Sequence, residues 1–341
     1  MASTKMGEHV DARDERRRSA GVLDSAVDTV LDRSIVGGYS RLGYALRRRL
    51  PGWPADPPAG ALSGRVAAVT GANSGLGKAT AIGLARLGAD VHLVVRDVGM
   101  GESAAAELSA AVPDASVSVW RCDVSDLDDV ERFATEYAGA VPRLDVLVHN
   151  AGVLPEQRTE SVQGHELTLA THVLGPLRMT DRSLPVLAAS GSARVILIAS
   201  GGMYTQRLPA DDVEYRDGEY RGATAYARTK RIQVALLPVL AQRWAAADVA
   251  VYGMHPGWAD TPGVASSLPG FHKITGPLLR DAEQGADTTV WLAGTEPRPS
   301  SGILWHDRRP RSPHYLPRTR HSEAERWAVW VECAASAGID V

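Results

Sequence analysis

The segment Thr70-Gly71-Ala72-Asn73-Ser74-Gly75-Leu76-Gly77 constrains what this chain can fold into more than any other. An apolar run, Arg65–Thr70, leads into it, and a helical pattern, Lys78–Leu87, leads out. Its glycines let the backbone turn sharply and approach a ligand closely. The helix behind them turns its free amides and positive dipole end toward whatever lies in that turn, which suits a pyrophosphate. A glycine cluster alone can serve any tight turn. A strand before, a helix after, and a place at the first strand-to-helix turn of the chain favour a dinucleotide site. Thr70, Gly71, Asn73, Ser74, Gly75, Leu76 and Gly77 are therefore the first candidate cofactor residues.

Strand and helix patterns go on alternating after this turn. Asp90–Val95, Ser116–Arg121, Leu144–His149, Arg194–Ala199 and Val249–Met254 are short apolar runs, and Ser103–Ala111, Leu127–Ala138 and Thr229–Trp244 read as helices between them. Such alternation predicts an α/β fold, a single doubly wound parallel sheet with helices on both faces, over residues 61–341. Residues 1–60 read as a separate extension. It holds a charge run from Asp11 to Arg18, then Val22, Ala26, Val27, Val30 and Leu31 at helical spacing, then a linker over Pro51–Gly60. A helical arm packed on the main domain or on a second subunit is the plainer account. Weak contact with a membrane surface through Arg47–Arg49 and Trp53 is the sharper one.

Composition removes several function classes. With 341 residues, 44% of them hydrophobic, the chain can bury a sizeable core. A formal net charge of −3 offers no basic field for nucleic acid. Two distant cysteines, Cys122 and Cys333, form neither a disulfide framework nor a metal motif, so no metal is expected and a reducing, cytoplasmic setting is. The N-terminus lacks the apolar run of a signal peptide, and no stretch is long and apolar enough to span a bilayer.

The chemistry sits at the predicted strand ends. The second strand closes with Val95-Arg96-Asp97, where an arginine can pair with the 2′-phosphate of NADPH by charge-assisted bonds. NADPH is thus the expected cofactor, with NADH possible; alternatively Arg96 is a surface charge and Asp97 opens a helix. Asp123 and Val124 follow the third strand, where an adenine edge would lie, and Asn150, Ala151 and Gly152 follow the fourth, small enough for a ring to approach. Tyr226 and Lys230 stand four apart on a helix, hence on one face. A free phenol titrates at ~10, and an adjacent ammonium would lower that value. The same lysine could hold the ribose of the nicotinamide. Ser200, after the Arg194–Ala199 strand, can donate to a substrate oxygen, and no GxSxG elbow surrounds it to suggest a hydrolase.

Taken together, Thr70–Gly77, Asn150–Gly152, Ser200 and the Tyr226/Lys230 pair resemble the short-chain dehydrogenase/reductase family. The segments Ser200–Met203, His255–Val264 and Pro269–His272 narrow the resemblance to one branch and its bacterial relatives. The likeness covers about residues 61–310. It implies a Rossmann-type sheet of seven strands, a nicotinamide cofactor and a Ser-Tyr-Lys mechanism that interconverts a carbonyl and an alcohol. It also implies that Pro256, Gly257, Trp258 and Thr261 meet the nicotinamide end of the cofactor, and that the long helices after Tyr226 pair in a homodimer. One departure stands out: His172 occupies the place of the family's relay asparagine. It could hold the relay water, titrate near neutral pH, or simply pack. The more apolar Ala265–Leu279 loop suggests a lid and a hydrophobic small-molecule substrate. The other class of function is an NADPH-binding sensor or scaffold without turnover.

Overall fold

The computed structural model describes residues 24–260 and 276–341. The chain divides into two compact units, Met1–Ala55 and Asp56–Val341. In the first, residues 24–33 are helical, followed by Ile35–Tyr39 and Arg41–Arg48. Ser34 and Ser40 cap the latter two by accepting from backbone amides. Arg47, one of the three basic residues considered for a membrane surface, is turned inward. It donates to Asp28 and to the Gly38 carbonyl, each at 2.8 Å. Trp53 packs edge-on against Tyr44. Val22 and the Asp11–Arg18 charge run lie outside the described residues.

The second unit is an α/β sandwich. Its strands are β1 (Val66–Thr70), β2 (Asp90–Val95), β3 (Val117–Arg121), β4 (Val146–His149), β5 (Arg194–Ile198), β6 (Ala250–Met254), β7 (Ile303–His306) and β8 (Arg309–Pro310). The helices that matter below are α1 (Gly75–Arg86), α2 (Val98–Ala111), α3 (Leu127–Ala140), α4 (Gly175–Arg182), α5 (Gly222–Arg243), α6 (Ala282–Gly294) and α7 (Glu323–Ala337). The sheet runs β3-β2-β1-β4-β5-β6-β7-β8. Every pairing is parallel except β7 with β8. This is a Rossmann-type sheet with one strand more than the seven expected. The extra strand is a two-residue antiparallel return, too short to leave a periodic signal in sequence.

Near-continuous apolar runs such as Val66-Ala67-Ala68-Val69 form the central strands because helices cover both faces there. Val69, Val91, Leu93 and Val148 are buried in one core with Ala81 and Leu84 of α1 and Leu292 of α6. Each large side chain so buried contributes about 1.5–3 kcal/mol. Strand order reverses between β1 and β4, so the crevice at their C-terminal ends is the switch point where such sheets bind ligands.

Candidate active site

Thr70 ties the two sides of that crevice together. Its hydroxyl accepts the amides of Asn150 and Ala151, each at 3.0 Å, while the Asn150 side chain donates to the Thr70 and Gly71 carbonyls. Gly71 and Gly75 have φ of +63° and +52°, a region glycine enters freely. A Cβ on Gly71 would stand 2.9 Å from the Ala151 backbone, and one on Gly77 only 2.3 Å from the Gly71 carbonyl oxygen. The glycines therefore let β1, β4 and α1 close to one another.

The start of α1 differs from its neighbours. Asp97, Asp126 and Asp281 cap α2, α3 and α6 through their side chains. Ser74, at the same position of α1, makes no side-chain cap bond, and the first turn carries no acidic residue. Its amides are left for an anion, so the residues present fit a dinucleotide pyrophosphate. Asp97 serves as a helix cap, accepting from Met100 at 3.0 Å. That leaves Arg96 at the β2 end, its side chain 73% exposed and 3.9 Å from Asp123, free to swing onto a phosphate. Asp123 spends one oxygen on Ser125, and Val124 is buried.

Around the end of β5 a second group of side chains comes together. Ser200 follows β5, and its hydroxyl lies near enough to the Tyr226 phenol to favour the phenolate. Lys230, one turn along α5, holds its Nζ 5.6 Å from the Tyr226 ring centroid and donates to the Ile198 carbonyl at 2.7 Å. Lys230 is buried and Ser200 and Tyr226 are half-buried, and desolvation governs the proton affinities of the tyrosine and the lysine. The Tyr226 pKa is raised by desolvation, with the Ser200 hydroxyl pulling the other way. The expectation that Lys230 would lower it is not met in net direction. Burial disfavours the ammonium as well, bringing the Lys230 pKa down to about 7.

His172 packs edge-on against Tyr226, with ring centroids 5.2 Å apart, inside a single π-type turn, Ala170–Leu174. Its Nε2 accepts the Val153 amide at 3.1 Å, which places the proton on Nδ1, 2.8 Å from the Thr229 hydroxyl. Both ring nitrogens are thus engaged by protein. Burial, aided by Lys230, pushes the pKa well below the usual histidine value, so titration near neutral pH is corrected to a packed neutral imidazole. The His172 carbonyl accepts from Gln233 at 2.6 Å.

The segment after β6 is pinned from behind. Gly257, at φ +78°, donates its amide to His255, and Arg280 pairs through its backbone with Trp258 and Asp260. The buried Arg280–Asp307 ion pair anchors that strip. Pro256, Gly257 and Trp258 are so placed at the C-terminal end of β6. Thr261, Pro262–Val264, Pro269–His272 and most of the Ala265–Leu279 loop lie outside the described residues.

The charged loop between Ser200 and Tyr226 is strutted against neighbouring segments. Glu214 binds the His165 ring at 2.7 Å and the Glu166 amide at 2.8 Å, and Asp212 pairs with Arg228, whose guanidinium lies 4.2 Å over the Tyr215 ring. Among the described residues no cluster of metal-ligating side chains occurs, and no helix is long and apolar enough to cross a membrane.

Comparison with known proteins places these features in a wider set. The short chain dehydrogenase family model matches residues 65–270. Dehydrogenase/reductase SDR family member 12 of Bos taurus is 41% identical over 268 residues, covering 77% of this chain and 83% of that protein. Human retinol dehydrogenase 12 is 33% identical, covering 80% of this chain and 86% of its own length. Among solved structures, an uncharacterised protein from Mycobacterium paratuberculosis aligns with a TM-score of 0.67 at 27% identity, covering 84% of this chain and 97% of its own. The RhlG/NADP active-site complex of Pseudomonas aeruginosa aligns at 0.59 and 27% identity, covering 73% and 96%.

Proposed function

The chain belongs to the short-chain dehydrogenase/reductase family, and from that footing we propose that it is an NADPH-preferring oxidoreductase that interconverts a hydrophobic ketone or aldehyde and its alcohol. The observation that carries this is the convergence of Ser200, Tyr226 and Lys230 at the end of β5, with the Lys230 Nζ 5.6 Å from the Tyr226 ring centroid and the Ser200 hydroxyl acting on its phenol.

Thr70–Gly77 and the first turn of α1 would hold the pyrophosphate, Arg96 the 2′-phosphate, and Asp123 and Val124 the adenine end. Asn150–Gly152 and Pro256–Trp258 would flank the nicotinamide end. The cofactor, when bound, supplies or accepts the hydride. Tyr226 donates the proton to the carbonyl oxygen and takes it back in the reverse direction. Ser200 orients that oxygen and stabilises its developing charge. Lys230, with a pKa of about 7, is poised to exchange a proton near the phenol. NADP in the Pseudomonas complex and the name of the human retinol dehydrogenase support the cofactor and the apolar substrate class respectively. A cytoplasmic setting belongs to the same proposal and rests on Cys122 and Cys333 being free and buried.

The test is NADPH consumption with all-trans-retinal, nonanal and 4-nitrobenzaldehyde, in wild type and Tyr226→Phe, alongside fluorescence titration with NADPH. Turnover that falls by roughly a thousandfold or more in Tyr226→Phe, with NADPH binding retained, is expected. Equal rates in the two proteins would remove Tyr226 from the chemistry. NADPH binding without turnover of any of the three would favour the sensor or scaffold instead.

A further inference from the structure

One residue beyond Lys230, α5 carries a cation that the proposed reaction does not use. Arg231 is completely buried. A guanidinium has five donors and no acceptor, and a charge buried without partners costs several kcal/mol. Among the described residues its hydrogen-bond acceptors are all main-chain carbonyls. Nε and Nη2 both donate to the Met203 oxygen, at 3.1 and 2.8 Å, and Nη1 donates to the Pro313 oxygen at 2.7 Å. The Tyr204 ring lies 5.9 Å from its Cζ, within cation–π range.

These acceptors belong to two distant segments. Met203 sits in the short 3₁₀ turn Gly201–Thr205, and Ser200 is the residue that caps it. The Met203 amide donates to the Ser200 carbonyl at 3.1 Å, and the Ser200 hydroxyl accepts the Gly202 amide at 3.3 Å. Pro313 sits in the tail that follows β8. The same tail meets the same turn twice more: the Tyr204 hydroxyl donates to the Ser312 carbonyl at 2.8 Å, and Tyr204 stacks on Tyr315 with centroids 4.2 Å apart. A single 3₁₀ turn has poor internal hydrogen-bond geometry and holds its shape weakly alone. A planar two-pronged donor fixes direction as well as distance, which a point charge does not.

We propose that Arg231 is a positioning residue that clamps the tail segment Ser312–Tyr315 onto the turn beginning at Ser200, and so sets the serine hydroxyl against Tyr226. The proposal rests on the Ser200–Tyr226 assignment made above. It adds that the serine is held by a stretch of chain beyond residue 270, where the family match ends.

The experiment is a double-mutant cycle with NADPH and nonanal, comparing wild type, Arg231→Met, Ser200→Ala and the double variant, paired with amide hydrogen exchange. Arg231→Met is expected to lower kcat by roughly tenfold or more, since loss of a well-placed oxyanion donor costs about 10²–10³, with NADPH affinity little changed. In the Ser200→Ala background the same substitution should cost under about twofold, because there is no hydroxyl left to misplace. Arg231→Lys, which keeps the charge and loses the fork, should fall between, and it replaces Arg231→Met if the latter does not fold. Exchange should quicken in both segments 201–205 and 312–315. Equal losses in the two backgrounds, or unchanged exchange in the serine turn, would overturn the clamp. If nonanal is not consumed by wild type, exchange decides by the same criterion. Undiminished turnover in Ser200→Ala would instead overturn the site assignment beneath it.

Discussion

Lys230 shows how burial and function pull against each other at a single residue. Among the described residues its ammonium has one hydrogen-bond acceptor, the Ile198 carbonyl, and its pKa falls from 10.5 to about 7 in the folded chain. Between those values the unfolded chain holds the proton and the folded chain does not. Stability therefore rises as pH climbs from about 7 toward 10.5, by about 1.4 kcal/mol per pH unit at most. Lys230→Met removes this linkage. The variant is expected to melt above the cofactor-free wild type at pH 7, the gap narrowing as pH rises, while turnover is lost. Calorimetry at several pH values checks it; a pH-independent gap would mean the lysine titrates where an exposed one does. Tyr226, Lys230 and Ser200 were legible because they lie at strand ends or four apart on one helix. Arg231 was not: its partners Met203 and Pro313 stand 28 and 82 positions away. His172 was legible as a departure, but whether it titrated or packed depended on Val153 and Thr229, which only the fold brings to its ring.

At the scale of elements, the informative helix is α1, whose N-cap Ser74 has a hydroxyl that makes no cap bond. An aspartate at the N-cap, as at α2, α3 and α6, satisfies first-turn amides and favours the positive dipole end. Ser74→Asp would give α1 the same device. It is expected to stabilise the cofactor-free protein by about 0.5–1 kcal/mol and to weaken NADPH binding by roughly tenfold or more, since its carboxylate would meet the pyrophosphate. Thermal melts and fluorescence titration read the two effects separately; unchanged affinity would move the phosphates away from this turn. The strands Val66–Thr70 and Arg194–Ile198 were readable from apolar runs that burial on both faces demands. β7 was missed because Ile303–His306 has no apolar residue ahead of it as β4 has in Leu144, and lies between Gly302 and Asp307 with no period to count. α7 had a signal that went unused: Ser322 and Glu325 form a capping box.

For the whole molecule, α7 bears on how two copies could meet. The resemblance implies pairing through the long helices after Tyr226, yet from Ala225 to Leu237 no residue of α5 is exposed within the single chain. Part of that cover is α7, which packs on α5, α4 and the π-type turn. Trp330, Cys333, Ala334 and Ala337 are buried there, the Arg243 guanidinium lies 5.4 Å from the Trp330 ring, and Arg178 donates to the Ala337 carbonyl at 3.2 Å. Opening this face would re-expose an aromatic and three small apolar side chains, at a cost of several kcal/mol before a partner could bury them. A stable interface needs roughly 800 Å² from each copy, which a face already occupied in cis cannot offer. Light scattering on the eluting protein should therefore read 36.3 kDa, the mass of one chain. Trp330→Ala, which loosens α7, should lower the melting temperature and shift part of the protein to twice that mass. A wild-type dimer that survives Trp330→Ala unchanged would show that pairing uses a surface other than α5.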